Sequence, residues 1–266
     1  MLDVMGVEKR FRSGADEVLA LDRIDLHLDR GDFLTLIGSN GAGKSTLLHV
    51  ICGVLLPTLG RIRLSGADVT CTPAYRRARR ISRIVQDPMK GTAPSMTVAE
   101  NLALASKRRG RTLRRAISRR RRLAFIERLS DLGVDLAARL DDPVSTLSGG
   151  ERQALAVAMA TLSRPDLLLL DEHTAALDPK NAERIVELTR AFVEEADLTT
   201  IMVTHNMEQA IDLGNRLVMM HKGQIVHEVR DEAKRNTRVC DLVELFSRRH
   251  VADDELLLEP AGVESA

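Results

Sequence analysis

The sequence predicts an α/β fold whose sheet is largely parallel. Segments with strand character alternate with segments with helix character along most of the 266 residues. This alternation is typical of parallel strands joined by crossover helices. A glycine-rich stretch also lies between one predicted strand and the helix that follows it. The length fits one large domain, or a domain that carries a subdomain.

The first predicted elements run from a half-exposed strand to a short helix. The alternating pattern of ALDRIDLHLDRGD predicts a strand with one exposed face, and DFLTLIG predicts a buried strand. A helix is expected from Lys44 to about Cys52, with Gly53 placed to end it. Further strands are predicted in RRISRIVQ, DLLLLD, TTIMVTH and NRLVMMHKGQIV.

The residues from about Asp87 to Arg164 predict mainly helix. Thr97 and Glu100 stand three residues apart at the start of one helix, which is a capping-box pattern. A later helix is expected to bury one apolar face and to end at a glycine, with Phe125, Leu129, Leu132 and Gly133 as the residues concerned.

These elements suggest a domain plan. We expect a core over residues 1–228, interrupted by a helical insertion at about 87–164. A helical extension is expected over 229–250, around VCDLVELFSRRH. The acidic residues 251–266 are expected to be a disordered tail.

The composition narrows the classes of function. Three scattered cysteines, Cys52, Cys71 and Cys240, favour reduced thiols in a cytosolic protein over a disulfide frame or a zinc site. The longest apolar run, residues 47–56, is shorter than the roughly 20 residues that span a bilayer, and we expect no signal peptide. Membrane contact is therefore expected only through the surface or a partner. One Tyr, five Phe and no Trp argue against base stacking on aromatic platforms.

The glycine-rich stretch GSNGAGKST, residues 38–46, matches the P-loop pattern. Its glycines let backbone amides turn toward phosphate groups, and the start of the next helix adds a partial positive charge. Lys44 can neutralise the β- and γ-phosphates, and the Ser45 hydroxyl can ligate magnesium. A chance glycine-rich turn is the alternative, which the flanking strand and helix disfavour. The predicted nucleotide-binding residues are Gly38, Ser39, Asn40, Gly41, Ala42, Gly43, Lys44, Ser45 and Thr46.

Two adjacent carboxylates, Asp171 and Glu172, follow four leucines in LLLLDEHTAALDP. An unpaired charge against an apolar strand is costly, so we expect a cation beside them. In a P-loop protein, an acid at the end of a buried strand holds magnesium, which is the role predicted for Asp171. Glu172 could polarise the attacking water as a general base. The alternative is a solvated acidic pair that caps the next helix.

The stretch LSGGERQ, residues 147–153, resembles the signature sequence of ATP-binding cassette (ABC) proteins. Other marks follow in that family's order. Gln86 resembles the Q-loop, AALD ending at Asp178 resembles the D-loop, and VTH ending at His205 resembles the H-loop switch. The resemblance covers roughly residues 2–228.

The resemblance implies an ATPase with a P-loop NTPase (RecA-like) core, a parallel sheet, an antiparallel β subdomain and the inserted α-helical subdomain. It implies ATP and Mg²⁺ as cofactors. Phe11 lies where the family often has an aromatic that stacks on adenine, although Tyr is commoner there. The implied metal site contains Ser45, Gln86 and Asp171, and the implied catalytic residues are Glu172, His205 and Gln86.

Ser148, Gly149 and Gly150 precede a predicted helix, so they are expected to form a second anion site, separate from the P-loop. In the family, this site closes over the γ-phosphate bound to the opposite subunit. Both half-sites are present in this chain, which favours a homodimer, with a heterodimer as the alternative. Asp178 is expected to link the two sites across the interface.

His173 departs from the commonest family pattern, which often has Pro at this position. A histidine beside a catalytic acid suggests acid–base chemistry, but the family places its γ-phosphate-sensing histidine after the next strand, at His205. A structural role is therefore favoured for His173. His49, His221 and His227 belong to no recognisable constellation and are expected to be structural.

Ten of the sixteen residues from 107 to 122 are basic and none is acidic. A solvated helical surface is the favoured interpretation. Contact with anionic lipid headgroups is the second, and nucleic acid is the least favoured because aromatics are not interleaved.

Among ABC functions, the ATPase subunit of a transporter with a separate permease is favoured. The stretches QDPMKGTAPSMTVAENLALA and TIMVTHNMEQAIDLGNRLVMMHKGQI resemble a bacterial subgroup linked with amino-acid uptake, including aromatic amino acids such as tryptophan. The implied partners are permease subunits and an extracytoplasmic solute-binding protein, with the chain at the cytoplasmic face of the inner membrane. The alternatives are an exporter or lipoprotein-releasing system, or an ABC ATPase that acts on nucleic acid or ribosomes. No coiled coil or second cassette supports the last class.

Overall fold

The structure is a computed structural model that describes residues 1–14, 16–106, 117–131, 135–162, 164–175 and 177–247. In chain order the strands are β1 Leu2–Ser13, β2 Asp16–Leu28, β3 Phe33–Gly38, β4 Leu59–Leu64, β5 Ala67–Asp68, β6 Ile81–Ile84, β7 Leu167–Asp171, β8 Thr199–Val203, β9 Arg216–His221 and β10 Gln224–Arg230. The helices are α1 Lys44–Cys52, α2 Ala74–Arg77, α3 Pro88–Gly91, α4 Val98–Ala105, α5 Arg119–Asp131, α6 Gly149–Leu162, α7 Pro179–Glu195, α8 Met207–Asp212 and α9 Asp231–Arg235. Residues 239–247 are also helical.

Two sheets organise these strands. The larger has the order β10-β9-β3-β8-β7-β6, in which β3, β6, β7, β8 and β9 are parallel and β10 adds an antiparallel edge. The smaller sheet is antiparallel, with the order β2-β1-β4-β5. The predicted α/β class, the parallel core sheet and the antiparallel sheet are confirmed.

Alternate side chains of β7 pack into two different hydrophobic cores. Leu167 and Leu169 pack with α1 and the antiparallel sheet, whereas Leu168 and Leu170 pack with α4, α5, α6 and α7. Successive side chains of a strand point to opposite faces, so one apolar strand supplies both layers. The helix α1 therefore lies between the two sheets, with its N-terminus at the edge where the parallel strands end.

Local signals fix several element boundaries. Helix α1 begins at Lys44 and ends at Gly53, whose φ of 80° is favourable for glycine. The capping box at Thr97 and Glu100 is present, because each donates to the other's oxygen. Both boundaries agree with the sequence prediction.

Helices α3 to α6 lie between β6 and β7 in the chain, as the predicted insertion requires. Phe125 and Leu129 of α5 are buried, while Leu132 and Gly133 lie outside the described residues. So do residues 107–116 of the basic run and the expected tail over 251–266. The boundaries of the insertion and of the extension over 229–250 stay predictions.

Strand β1 has no counterpart in the sequence prediction. Its register shifts after Val4 against β2 and after Met5 against β4, in both cases at Gly6, whose φ is 53°. The bulge breaks the period-2 alternation of apolar residues by which a strand is recognised. Within the described residues, no helix is long and apolar enough to cross a membrane.

Candidate nucleotide-binding site

The glycine-rich loop over residues 38–43 joins β3 to α1 at the carboxyl edge of the parallel sheet. Gly43 precedes the helix with φ 96°, and a Cβ there would lie 2.6 Å from the Ala20 carbonyl oxygen. A Cβ on Gly38 would lie 2.4 Å from the Met220 carbonyl oxygen. Glycine is therefore required at both positions. No described side chain caps the N-terminus of α1, so this helix end can receive an anion.

The Lys44 side chain folds back onto the same loop and hydrogen-bonds its backbone. Its Nζ donates to the carbonyl oxygens of Gly38, at 2.8 Å, and Ser39, at 3.0 Å, and its side chain is buried. Burial lowers the pKa of the Lys44 ammonium, while the charges of Glu172 and Asp171 act in the opposite direction. The lysine is thus held rigidly beside the two carboxylates predicted to belong to the site. Thr46 is partly buried in the first turn of α1.

Asp171 ends β7 and has a different neighbour on each carboxylate oxygen. Its Oδ1 lies 3.4 Å from the Ser45 hydroxyl, and its Oδ2 accepts a hydrogen bond of 2.7 Å from Nη2 of Arg83. A cation beside Asp171 is predicted from sequence, but Arg83 is not among the predicted site residues. The hydroxyl and carboxylate oxygens of Ser45 and Asp171 are donors that suit a magnesium ion.

Glu172 follows Asp171 in a strained conformation. Its φ is 47°, in the left-handed region that non-glycine residues rarely adopt. The Glu172 amide donates to the Val203 carbonyl at the end of β8, at 3.1 Å. The carboxylate Oε1 lies 2.5 Å from Nε2 of His205, which follows β8. The His205 side chain is 47% exposed and that of Glu172 is 14% exposed, so this pair faces the surface at the sheet edge.

The signature segment forms its own capped helix start. The Ser148 amide donates to Oε2 of Glu151 at 2.7 Å, and the Glu151 amide donates to the Ser148 hydroxyl at 3.3 Å. The hydrogen bond from Ser148 is the main cause that lowers the pKa of Glu151. Nη1 of Arg139 donates to the same carboxylate at 2.8 Å. The helix α6 therefore begins at a pre-formed turn that exposes Ser148 and Gly149.

The signature segment adjoins the predicted D-loop within the same chain. A Cβ on Gly150 would lie 3.1 Å from the side chain of Asn181. Asn181 donates to Asp178 through Nδ2, at 2.6 Å, and through its amide, at 3.1 Å, so that Asp178 caps α7. Hydrogen bonding by Asn181 lowers the pKa of Asp178. No hydrogen bond or ion pair between described residues joins Ser148–Gly150 to the P-loop.

Comparison with known proteins decides which family has this arrangement. The family model described as ABC transporter matches residues 21–175. The tyrosine transport ATP-binding protein of Clostridioides difficile (strain R20291) is 42% identical over 92% of this chain and 98% of its own length. This chain belongs to the ABC transporter family.

Other relatives agree with this membership. The lipoprotein-releasing system ATP-binding protein LolD 1 of Caulobacter vibrioides is 34% identical over 87% of this chain and 97% of its own length. The ATP-binding cassette MJ0796, in a dimeric post-hydrolysis state bound to ADP and Pi, superposes with a TM-score of 0.72 and 26% identity, over 86% of this chain and 98% of that one. The chain is an ATP-binding protein and an ATPase, and its P-loop NTPase core is confirmed.

His173 of this ABC ATPase lies apart from the Glu172–His205 pair. It is buried, and its Nε2 lies 3.3 Å from the Thr189 hydroxyl of α7. Burial lowers the pKa of His173 to about 4, so the ring is neutral near pH 7. The structure therefore places this histidine in the core, where a structural role is expected.

Gln86 and Phe11 occupy exposed positions. Gln86 follows β6 and is exposed, and the Phe11 ring on β1 is half-exposed, with Nζ of Lys9 5.2 Å from its centroid. The described contacts do not join either residue to Lys44, so their roles in the ABC ATPase stay predictions. Among the described residues, no three His, Cys, Asp or Glu side chains form a metal cluster.

Arg83 and Asn181 are neighbours of the site that the sequence prediction does not include. Arg83 reaches Asp171 across a strand pair whose members are 88 residues apart in sequence. The signal available was Arg83 itself, a charge between Ile81 and Ile84 inside the predicted strand RRISRIVQ. Asn181 is visible as the third residue after Asp178, which is the spacing of a cap.

Proposed function

We propose that this ABC ATPase drives a bacterial importer for an amino acid or a similar small solute. The observation that carries the proposal is the 42% identity with a tyrosine transport ATP-binding protein, which extends over 98% of that relative. In this proposal a separate permease forms the membrane pathway, and an extracytoplasmic binding protein supplies the solute. The ATPase would lie at the cytoplasmic face of the inner membrane through contact with the permease.

The nucleotide would bind with its phosphates in the loop over residues 38–46. The open N-terminus of α1 and the backbone amides of the loop supply donors for phosphate oxygens. Lys44 is held at the same place by two loop carbonyls, so its ammonium is positioned for the β- and γ-phosphates. The half-exposed ring of Phe11 is the proposed contact for adenine.

A magnesium ion fits the oxygen donors beside Lys44. Ser45 and Asp171 lie side by side, and the exposed Gln86 amide follows the neighbouring strand, so these three residues are the proposed holders of the ion. Magnesium bound there would neutralise charge on the β- and γ-phosphates.

Glu172 is the proposed general base. Its carboxylate would accept a proton from the attacking water, and the neighbouring His205 would hold both the carboxylate and the γ-phosphate in place. A positioned general base contributes roughly 10²–10⁴ in rate, which corresponds to about 3–5 kcal/mol of barrier.

A second copy of the chain would complete each site. Ser148, Gly149 and Gly150 are the proposed donors from the partner, and Asp178 is the proposed link between the two sites. The exposed, pre-formed start of α6 supports this role, and so does the dimeric state of the MJ0796 cassette. A homodimer is proposed because one chain carries both half-sites.

Transport by the complete assembly tests the proposed substrate class. The ATPase is purified from detergent-solubilised membranes with its permease and reconstituted into liposomes that contain ATP. Uptake of labelled tyrosine is measured with the binding protein present, and other amino acids are added as competitors. We expect uptake that depends on ATP, and we expect none from the matched Glu172→Gln assembly. Uptake of no amino acid would contradict the proposal that the importer carries amino acids.

A lipoprotein-releasing system is the second candidate. It is favoured by the similarity to LolD 1, which covers 97% of that relative. In this case the reconstituted assembly would release a lipoprotein from liposomes that contain ATP but not from liposomes without ATP, and it would not take up amino acids. The lower identity, 34% against 42%, makes import the preferred proposal.

A further inference from the structure

We propose that Arg83 is a positioning residue that fixes the orientation of Asp171 and thereby sets the affinity of the site for its divalent cation. This inference rests on the proposed function, in which Asp171 holds magnesium. The described hydrogen bond of Arg83 goes to Asp171 and not to the P-loop or to Glu172. Arg83 acts through Asp171.

The register of the sheet brings Arg83 and Asp171 to the same face. In the parallel pair β6 and β7, Ile81 pairs with Leu167 and Arg83 with Leu169. Because side chains alternate along a strand, Arg83 lies on the face of Ile81, and Asp171 lies on the face of Leu167 and Leu169. That face packs against α1, which carries Ser45. The guanidinium therefore reaches the carboxylate from the side of the sheet that carries the P-loop.

The contacts of Asp171 divide its two oxygens. Oδ2 is occupied by Nη2 of Arg83 at 2.7 Å, which leaves Oδ1 on the side of Ser45. The side chains of Arg83 and Asp171 are 20% and 10% exposed, so water competes weakly for the ion pair. With Oδ2 anchored, the carboxylate cannot turn freely, and the oxygen beside Ser45 keeps its direction.

Not every buried polar atom of Arg83 has a hydrogen-bond partner among the described residues. Its Nε is buried and has no hydrogen-bond partner among the described residues, an arrangement that destabilises the folded protein. A buried ion pair is weak evidence for a stabilising role.

The same two strands carry a second ion pair that serves as an internal control. Arg80 precedes β6 and Asp166 precedes β7, and Nε of Arg80 lies 2.6 Å from Oδ2 of Asp166. This pair joins the strands at the opposite edge of the sheet, where β6 and β7 begin, whereas Ser45 and Glu172 lie at the edge where the parallel strands end. Its side chains are 35% and 39% exposed. It shares the chemistry of the Arg83–Asp171 pair but not its neighbours.

Binding of Mn²⁺ to the full chain in the presence of saturating ADP tests the inference. Mn²⁺ is a paramagnetic probe that accepts the same oxygen donors as magnesium, and free Mn²⁺ is measured by electron paramagnetic resonance. We expect Arg83→Met to weaken Mn²⁺ binding by about 10-fold, the effect typical of losing a residue that orients a metal ligand. Arg83→Lys keeps the charge and should recover part of the affinity. The matched control Arg80→Met should bind Mn²⁺ like the wild type.

Two further measurements separate positioning from a general structural effect. ADP affinity in EDTA should be the same for Arg83→Met and wild type, because the P-loop is unchanged. In a double-mutant cycle, adding Arg83→Met to Asp171→Asn should produce little further loss of Mn²⁺ affinity. Wild-type Mn²⁺ affinity in Arg83→Met, or an equal loss of ADP affinity in EDTA, would overturn the inference. Wild-type Mn²⁺ affinity in Asp171→Asn would instead overturn the proposed metal role of Asp171.

Discussion

The two edges of the parallel sheet, where the strands begin and where they end, differ in how their polar groups are paired. At the edge where the strands begin, the buried Arg216 is fixed by an ion pair of 2.7 Å with Asp32 and by a second, short contact with Glu228. Asn215 donates to Asp32 at 3.0 Å. Burial raises the pKa of Asp32, but the hydrogen bonds from Asn215 and Arg216 outweigh this effect and lower it overall. These charges pair with one another within the chain, although Nε of Arg216 is buried and has no hydrogen-bond partner among the described residues.

At the edge where the strands end, the polar groups are held but incompletely paired. Lys44 meets only carbonyl oxygens in its described hydrogen bonds, and no described side chain caps the N-terminus of α1. An ammonium without a carboxylate partner and an uncapped helix end cost stability in the isolated chain. The difference indicates that the first edge holds the fold together, whereas the second is built to receive a charged ligand.

Replacing Glu172 should produce the largest effect on this second edge. Glu172→Gln keeps the shape of the side chain but removes the proton acceptor, so ATP hydrolysis should fall by roughly 10²–10⁴. ATP binding should persist, and ATP should shift the variant toward a dimer on gel filtration. The matched control is Glu228→Gln at the opposite edge, which should keep wild-type turnover per folded molecule. Near-normal hydrolysis by Glu172→Gln would remove the general-base assignment.

The two histidines near this acid should differ in their effect. His205→Ala removes the partner that lies 2.5 Å from Glu172, and hydrolysis should fall by about 10². His173→Ala alters the core and not the pair, so turnover per folded molecule should stay within a few-fold of wild type. Steady-state ATPase assays, normalised to the folded fraction, measure both. If His173→Ala were the more impaired variant, the two roles would be exchanged.

The contrast between the edges shows what the sequence can predict. Helix α1 and its end at Gly53 follow from local signals, and so does the position of Asp171 at the end of an apolar strand. The strand β1 does not, because the bulge around Gly6 disrupts its alternation.

Contacts between segments that are distant in sequence could not be predicted in this way. The Arg83–Asp171 pair and the Arg216–Asp32 pair join residues 88 and 184 positions apart. No periodicity in either segment specifies its neighbour, because the order of strands in the sheet decides which side chains meet. The φ of Glu172 is likewise fixed by the turn between β7 and α7 and is not encoded in the residue type.

Replacing Arg216 should affect stability and leave the chemistry intact. Arg216→Met leaves Asp32 and Glu228 without their shared cation, which should lower the free energy of unfolding by roughly 2–3 kcal/mol. The cost stays below that of a fully buried orphan charge because both carboxylates are partly exposed. Denaturant unfolding measures the loss, and the folded variant should bind ADP and hydrolyse ATP like wild type. A selective loss of turnover, with stability unchanged, would contradict the division between the edges.

The effect expected to be smallest near neutral pH is a dependence of stability on pH through His173. Its pKa is about 4 in the folded protein, below the ordinary value of 6.5. Between pH 6.5 and 4 the unfolded chain therefore binds a proton that the folded chain does not, so stability falls as pH falls through this window. The slope from this one group is at most about 1.4 kcal/mol per pH unit. His173→Gln can keep a hydrogen bond to Thr189 but cannot titrate. Its free energy of unfolding should run parallel to that of wild type above pH 7 and fall less steeply between pH 6.5 and 4. If the unfolding free energies of the two proteins stayed parallel down to pH 4, protonation of His173 would not change the stability of the fold.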